Sequence, residues 1–237
     1  MTVMHANNET GVLQPVGEFG AAAREKGVLV HTDAAQSAGK VAVNVQELSV
    51  DLLTLAAHKL YGPKGVGALY IRKGVELSPF ALGAGHERGL RPGTENVASI
   101  VGFGVACAAA ARDAEWVTEL LAMVRDRLWN RLREKVPGIA MNGDAGGRLP
   151  NTLSVRFPGV TGPALLAAAP EVAASTGAAC HGGEDRGSAV ILAMGVPNEE
   201  ALGTVRLSVG RHTTDSEIDR AADALAKAWR GLRGEGG

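Results

Sequence analysis

Along the first third of the chain, short runs of β-branched and apolar residues alternate with segments of helical spacing. Val28-Leu29-Val30-His31-Thr32 is one such run, closed by Asp33; Leu52-Leu53-Thr54-Leu55 is a second, ending just before His58-Lys59. Gly62-Pro63-Lys64-Gly65 has the composition of a turn, and Val66 to Ile71 reads as a third strand. Between them, Glu18 to Lys26 predicts a helix stopped by Gly27. Strands alternating with helices predict an α/β fold, a mostly parallel sheet with helices on both faces. In such sheets ligands bind beyond the carboxyl ends of the strands, and both Asp33 and Lys59 fall at positions of that kind.

The second half has a different rhythm. Ile100 to Ala111 is rich in Ala and Gly and predicts a buried helix; it is well short of the roughly 20 apolar residues that a membrane span needs. Glu115 to Lys135 has a long helical period rich in Arg, Glu and Leu. Strands are expected at Thr152 to Phe157 and at Val205 to Val209, and a terminal helix from Ser216 to about Leu232. This order predicts a small α+β domain over 113–237, after part of a larger domain over 1–112. The closing Gly-Glu-Gly-Gly is expected to fray.

Composition narrows the functional classes. Hydrophobic residues make up 46% and charged residues 21% of the chain, as in an ordinary folded domain. The 24 basic residues are matched by 25 acidic ones, so no basic footprint points to nucleic acid. Cys107 and Cys180 lie far apart with no CxxC pattern, which predicts reduced thiols rather than a disulfide. The opening MTVMHANNET has neither a basic leader nor an apolar core. The expectation is a cytoplasmic protein without membrane attachment.

Three residues carry the candidate chemistry. Most lysines are solvated surface charges, but Lys59 follows a buried strand, precedes a Gly/Pro turn and lies downstream of an acid at another strand end. A pyridoxal-phosphate enzyme needs that pair: a lysine for the Schiff base and a carboxylate to keep the pyridine nitrogen protonated. Asp33 alone is equally a cap for whatever follows its strand. Cys180 lies between Ser-Thr-Gly-Ala-Ala and His181-Gly182-Gly183. Small neighbours suit a nucleophile on a loop, and His181 could favour the thiolate. A Cys–His metal site is the competing reading, and no further ligands occur at finger spacing, so no metal is expected. Cys107, inside the Ala-rich helix, reads as a small apolar core residue.

In order along the chain come Asn7-Asn8-Glu9-Thr10-Gly11, His31-Thr32-Asp33-Ala34-Ala35-Gln36, and His58-Lys59-Leu60-Tyr61-Gly62-Pro63-Lys64-Gly65. They are followed by Gly85-His86-Glu87-Arg88-Gly89-Leu90-Arg91-Pro92-Gly93-Thr94-Glu95-Asn96, Ser175-Thr176-Gly177-Ala178-Ala179-Cys180, and Arg206-Leu207-Ser208-Val209-Gly210-Arg211. Together they resemble the successive motifs of the class V aminotransferase-like cysteine desulfurases and selenocysteine lyases. The resemblance implies the type I fold of the pyridoxal-phosphate transferases. It implies that Lys59 holds the cofactor, Asp33 pairs with its ring nitrogen, Asn8 and Gln36 bond its ring oxygen, and His58 contacts its phosphate. Thr94 would reach the phosphate of a partner subunit in a homodimer, Arg206 would bind the substrate carboxylate, and Cys180 would take the sulfur or selenium.

As bare residues, the same positions also fit blander roles: turn or helix-surface groups for Asn8 and Gln36, a packed histidine for His58, strand-end polar residues for Thr94 and Arg206. The implied activity is removal of sulfur from L-cysteine, for iron–sulfur or thiolated products through a sulfur-acceptor protein. Selenocysteine lyase is the alternative within the class, and a catalytically inactive dimerisation partner is the alternative outside it. Two departures bear on this. Ala56 stands where many members of the family carry a phosphate-binding serine. The upstream phosphate loop and ring-stacking histidine have no counterpart in this sequence, which predicts weak cofactor binding by the chain on its own.

Overall fold

In the computed structural model, which describes residues 1–177 and 186–234, the chain forms two compact units. One comprises Met1–His5 with Gln14–Ala114, the other Ala6–Leu13 with Glu115–Gly237.

The first unit is built on a four-stranded sheet, β1 (Thr2–Met4), β2 (His31–Asp33), β3 (Leu52–Ala56) and β4 (Gly67–Ile71), in that order. The first three run parallel; β4 returns antiparallel to β3, pairing Leu52 with Ile71 and Ala56 with Gly67. The sheet is therefore mixed but mostly parallel. β2 is shorter than the run beginning at Val28. The reason lies in the preceding helix, α1 (Val16–Glu25): Val28 N–H donates back to the Ala23 carbonyl at 2.9 Å and Gly27 N–H to Arg24 at 3.0 Å. With Gly27 at φ 66° this is a Schellman closure, and it takes the backbone of Val28 out of the strand. Val16, Ala23, Val30, Ala34, Val50 and Leu53 form the core between α1 and the sheet.

A second small cluster supports the turn that follows β3. That turn is a 3-10 helix, Ala57–Leu60, and its Ala57 and Leu60 are buried with Ala38 and Phe103. Phe103 belongs to α2 (Val97–Lys135), a 39-residue helix that runs through both helices predicted over Ile100–Ala111 and Glu115–Lys135. The sequence predicts a buried helix over Ile100–Ala111, and here the structure differs. Phe103, Ala106, Cys107 and Ala110 share one packed face, while Val97, Ile100, Val101 and Val105 are exposed. With Ala, Gly and Val on every face, the pattern has no polar side to reveal which way the helix turns. The most apolar stretch of α2 reaches a mean hydropathy of 1.4, long enough to cross a membrane by length and composition only.

In the second unit, β5 (Ala140–Met141), β6 (Thr152–Arg156) and β7 (Thr204–Ser208) make an antiparallel sheet with β6 in the middle. Val117, Leu121, Val124, Leu128 and Leu132 line one stripe of α2 at three- and four-residue spacing. Ile218, Ala222, Leu225, Ala226 and Trp229 do the same on α6 (Asp215–Leu232). Both stripes pack with Leu153, Val155, Phe157, Val205 and Leu207 in one core, joined by Leu165 of α3 (Gly162–Ala168). Outside that core Arg127, Arg131 and Lys135 meet Asp215, Asp219 and Asp223 in step. Two short helices, α4 (Ala189–Ala193) and α5 (Asn198–Leu202), complete the described residues.

Candidate active site

Two groups of predicted residues are gathered, one in each unit. In the first, the parallel register sets Asp33 opposite Thr54. β3 runs only two residues further, to Ala56, before the 3-10 turn that carries His58 and Lys59. Asp33 and Lys59 thus stand at the carboxyl ends of neighbouring parallel strands, which lie about 4.8 Å apart in such a sheet. Asp33 is exposed, with one carboxylate oxygen accepting from Ala35 N–H at 2.8 Å. That bond shapes the turn leading to Gln36 and leaves the other oxygen for a ligand. His58 is exposed and Lys59 half-buried.

The turn bearing Lys59 is closed by Tyr61 in the left-handed region, φ 62° and ψ 16°. For a side chain of that size the conformation costs about 1–2 kcal/mol, and Gly62 N–H fixes it by donating to the Ala57 carbonyl at 2.9 Å. Gly39, at φ 69°, lets Leu60 pack beneath: a Cβ there would come within 2.4 Å of Leu60 Cδ2.

Three residues at this edge carry no motif-derived role. Buried His5 donates its backbone N–H to the Asp33 carbonyl at 2.8 Å, and its Nδ1 lies 2.9 Å from Ser37 Oγ. Burial lowers its pKa. Lys40 Nζ donates to the carbonyls of Gln36, at 3.0 Å, and Lys59, at 3.2 Å. Burial first, and then the Lys59 charge, bring the Lys40 ammonium down to about 8. The only sequence signal for Lys40 is a cation set among Ser, Ala, Gly and Val, and a surface lysine gives the same signal.

The second group lies in the other unit. Asn7 Oδ1 accepts from the N–H groups of Glu9 and Thr10, folding the Asn7–Gly11 motif into a tight turn. Asn8 is exposed on this turn, and its carbonyl accepts from Arg206 Nη1 at 2.8 Å. Arg206 Nε is buried with no hydrogen-bond partner among the described residues. An orphaned guanidinium donor beside a bonded one suits a carboxylate guest. Ser175 pairs with Arg206 through both backbone bonds. Buried Glu9 accepts from Ser188 Oγ, which also caps α4 through Val190 N–H. The segments on either side of Cys180 are thus tied to Arg206 and Glu9. Cys180 and His181 themselves lie outside the described residues. Thr94 lies in the exposed segment before α2. Cys107 packs against the Ala57–Leu60 cluster, and burial raises its thiol pKa.

The pair on the first sheet fits pyridoxal phosphate: a half-buried lysine and an exposed carboxylate sit at one edge of the parallel strands. A family profile described as aminotransferase class-V matches residues 1–221. The cysteine desulfurase of Trichormus azollae is 40% identical over 235 residues, covering 98% of this chain and 59% of the relative. The cysteine desulfurase IscS of Anaeromyxobacter dehalogenans (strain 2CP-C) is 45% identical over 237 residues, covering 98% and 58%. Among solved structures, a NifS-like protein from Rickettsia africae ESF-5 superposes with a TM-score of 0.85 at 29% identity, covering 98% of this chain and 61% of that one. The chain spans about three-fifths of the length of the curated relatives it matches.

Proposed function

The chain belongs to the class-V aminotransferase family, and from that premise we propose that it serves a pyridoxal-phosphate-dependent cysteine desulfurase. The observation that carries the reading is the pair Asp33 and Lys59 at adjacent carboxyl ends of β2 and β3. When bound, pyridoxal phosphate supplies an electron sink that weakens bonds at the substrate's α- and β-carbons. Lys59 would hold the cofactor, and its amine would move a proton at the substrate α-carbon. Asp33 holds the proton on the pyridine nitrogen. Gln36 and Asn8 bond the ring oxygen and His58 the phosphate. Arg206 would orient the substrate carboxylate through its unpaired Nε, its Nη1 being held by the Asn8 carbonyl.

The Cys180 thiolate attacks the substrate sulfur; a sulfur–sulfur bond forms as the carbon–sulfur bond breaks, and alanine leaves with a new proton on its β-carbon. A persulfide stays on Cys180 for an acceptor protein. Thr94, exposed and outside the core, is the residue that would reach the phosphate of a second copy, so the working unit of this reading is a homodimer in the cytoplasm. Its exposure supports such a contact.

The test incubates the protein with pyridoxal phosphate and L-cysteine, measures alanine, and maps added sulfur by mass spectrometry. The expected result is alanine with one extra sulfur on the Cys180 peptide and none on Cys107, both abolished by Cys180→Ala. Sulfur on Cys107 alone refutes the nucleophile assignment. Turnover of selenocysteine that survives Cys180→Ala favours a selenocysteine lyase, and a chain inert to both substrates even with pyridoxal phosphate bound at Lys59 supports a purely structural role.

A further inference from the structure

Lys40 joins the two loops that carry the candidate cofactor groups. Its two carbonyl acceptors belong to different elements: Gln36 lies in the turn after β2, and Lys59 in the 3-10 turn after β3. Carbonyls at the end of a 3-10 turn have no partner within the turn, and an ammonium is the side-chain group best able to bond two of them at once. A leucine or methionine would fill the half-buried space without the cost of desolvating a charge. The chain instead keeps a cation there, close enough to Lys59 to feel its charge.

We propose that Lys40 is a positioning residue for Lys59: by bridging the Gln36 and Lys59 carbonyls it locks the lysine turn against the Asp33 turn and so sets the approach of the Lys59 amine to a carbonyl compound seated at that edge. The inference rests on the reading of Lys59 as the cofactor lysine. It adds a residue that touches neither substrate nor cofactor and acts on the reaction through Lys59. Leu60, buried next in sequence, fixes the turn from beneath, and Lys40 fixes it through the backbone. Two constraints on four residues leave the Lys59 backbone little freedom to rotate, while its side chain stays free to react. An attacking group misplaced by about 1 Å loses as much as a hundredfold in rate, so an effect of about tenfold is expected from losing one of two constraints.

The test measures covalent attachment rather than turnover. The protein is mixed with pyridoxal phosphate, trapped with borohydride over a time course, and digested; label is then quantified at Lys59, Lys64 and Lys73. Lys40→Met, which keeps the stem and removes the charge, is expected to slow labelling at Lys59 about tenfold and leave Lys64 and Lys73 unchanged. Lys40→Arg, which restores two or more donors, is expected to recover most of the Lys59 rate. Near-ultraviolet circular dichroism confirms that each variant is folded, and Lys40→Gln replaces the methionine variant should that one unfold. Label on Lys64 or Lys73 but not on Lys59 in the unmodified chain defeats the cofactor-lysine reading itself. Equal Lys59 labelling in the unmodified and methionine chains overturns the Lys40 proposal and leaves that reading standing. An equal fall at all three lysines, or a fall that arginine does not restore, also overturns it.

Discussion

The two units use their residues in opposite ways. The second concentrates its large side chains, Phe157, Leu153, Leu165, Leu225 and Trp229 among them, in one continuous core. Its polar sequence features mostly serve the fold: a capping box at Thr214 and Glu217 and the basic and acidic rows along α2 and α6. The first unit divides its interior into two small clusters, one of Ala, Val and Leu under α1 and one of Ala, Leu and Phe103 under the lysine turn. Its polar residues cluster at the strand ends, and a left-handed tyrosine follows the candidate lysine. Dense packing in the second unit supplies stability, and its candidate chemistry is left to Asn8, Arg206 and Cys180. The first trades packing for a half-buried ammonium, a buried histidine and a strained turn, the features expected where residues must react.

Three measurements test that contrast. The largest effect is expected from core truncation. Phe157→Ala should cost about 3–5 kcal/mol, whereas Leu53→Ala, in a cluster small enough to relax, should cost about 2–3 kcal/mol. Urea unfolding of each variant reads the difference, and equal losses would erase the distinction between one core and several.

Next in size is Gly39→Ala. The left-handed backbone costs about 1–2 kcal/mol once a Cβ is present, and that Cβ drives into Leu60. The result that sharpens the comparison is a loss of cofactor labelling at Lys59 beyond what the change in melting temperature accounts for. Normal labelling would mean that the lysine turn does not depend on the cluster beneath it.

The smallest effect is a pH dependence. Burial holds the pKa of His5 below its usual value, near 6.5 in an unfolded chain. As pH falls below about 6.5 the unfolded chain takes up the proton first, so stability present above that pH is lost on acidification through the window beneath it. Chemical denaturation at pH 7.5 and 5.5 should show a drop that His5→Asn reduces. An unchanged drop would assign the acid sensitivity to other groups.

Much of the first sheet was readable from the runs ending at Asp33 and before His58, because a buried parallel strand is written as a continuous apolar run. The antiparallel return of β4 was not, since Gly62-Pro63-Lys64-Gly65 marks a turn without stating which neighbour the next strand will pair with. α2 was predicted as helix in both halves, and only the burial of its Ala-rich half was misjudged, where no amphipathic contrast exists. Asp33 and Lys59 stood out because strand ends are visible in sequence. Lys40, His5 and Ser37 did not, because their contacts to other elements form only once the chain is folded. The orphaned Nε of Arg206 likewise emerges only once β7 and the Asn7–Gly11 turn are folded together.

The assignment of Ala6–Leu13 to the second unit has a consequence for the chain as it is made. Gly11 accepts from the Leu149 N–H and Asn8 from Arg206, partners that leave the ribosome long after the turn itself. At typical rates of synthesis the wait is on the order of ten seconds. During that interval the Asn7–Gly11 turn is held only by its own local bonds, while β1 and β2 on either side of it can already pair. The second unit is therefore completed after the first, although its Ala6–Leu13 segment is made before most of the first unit. Any chaperone that shields nascent segments would find the turn without these partners until Leu149 and Arg206 have been made.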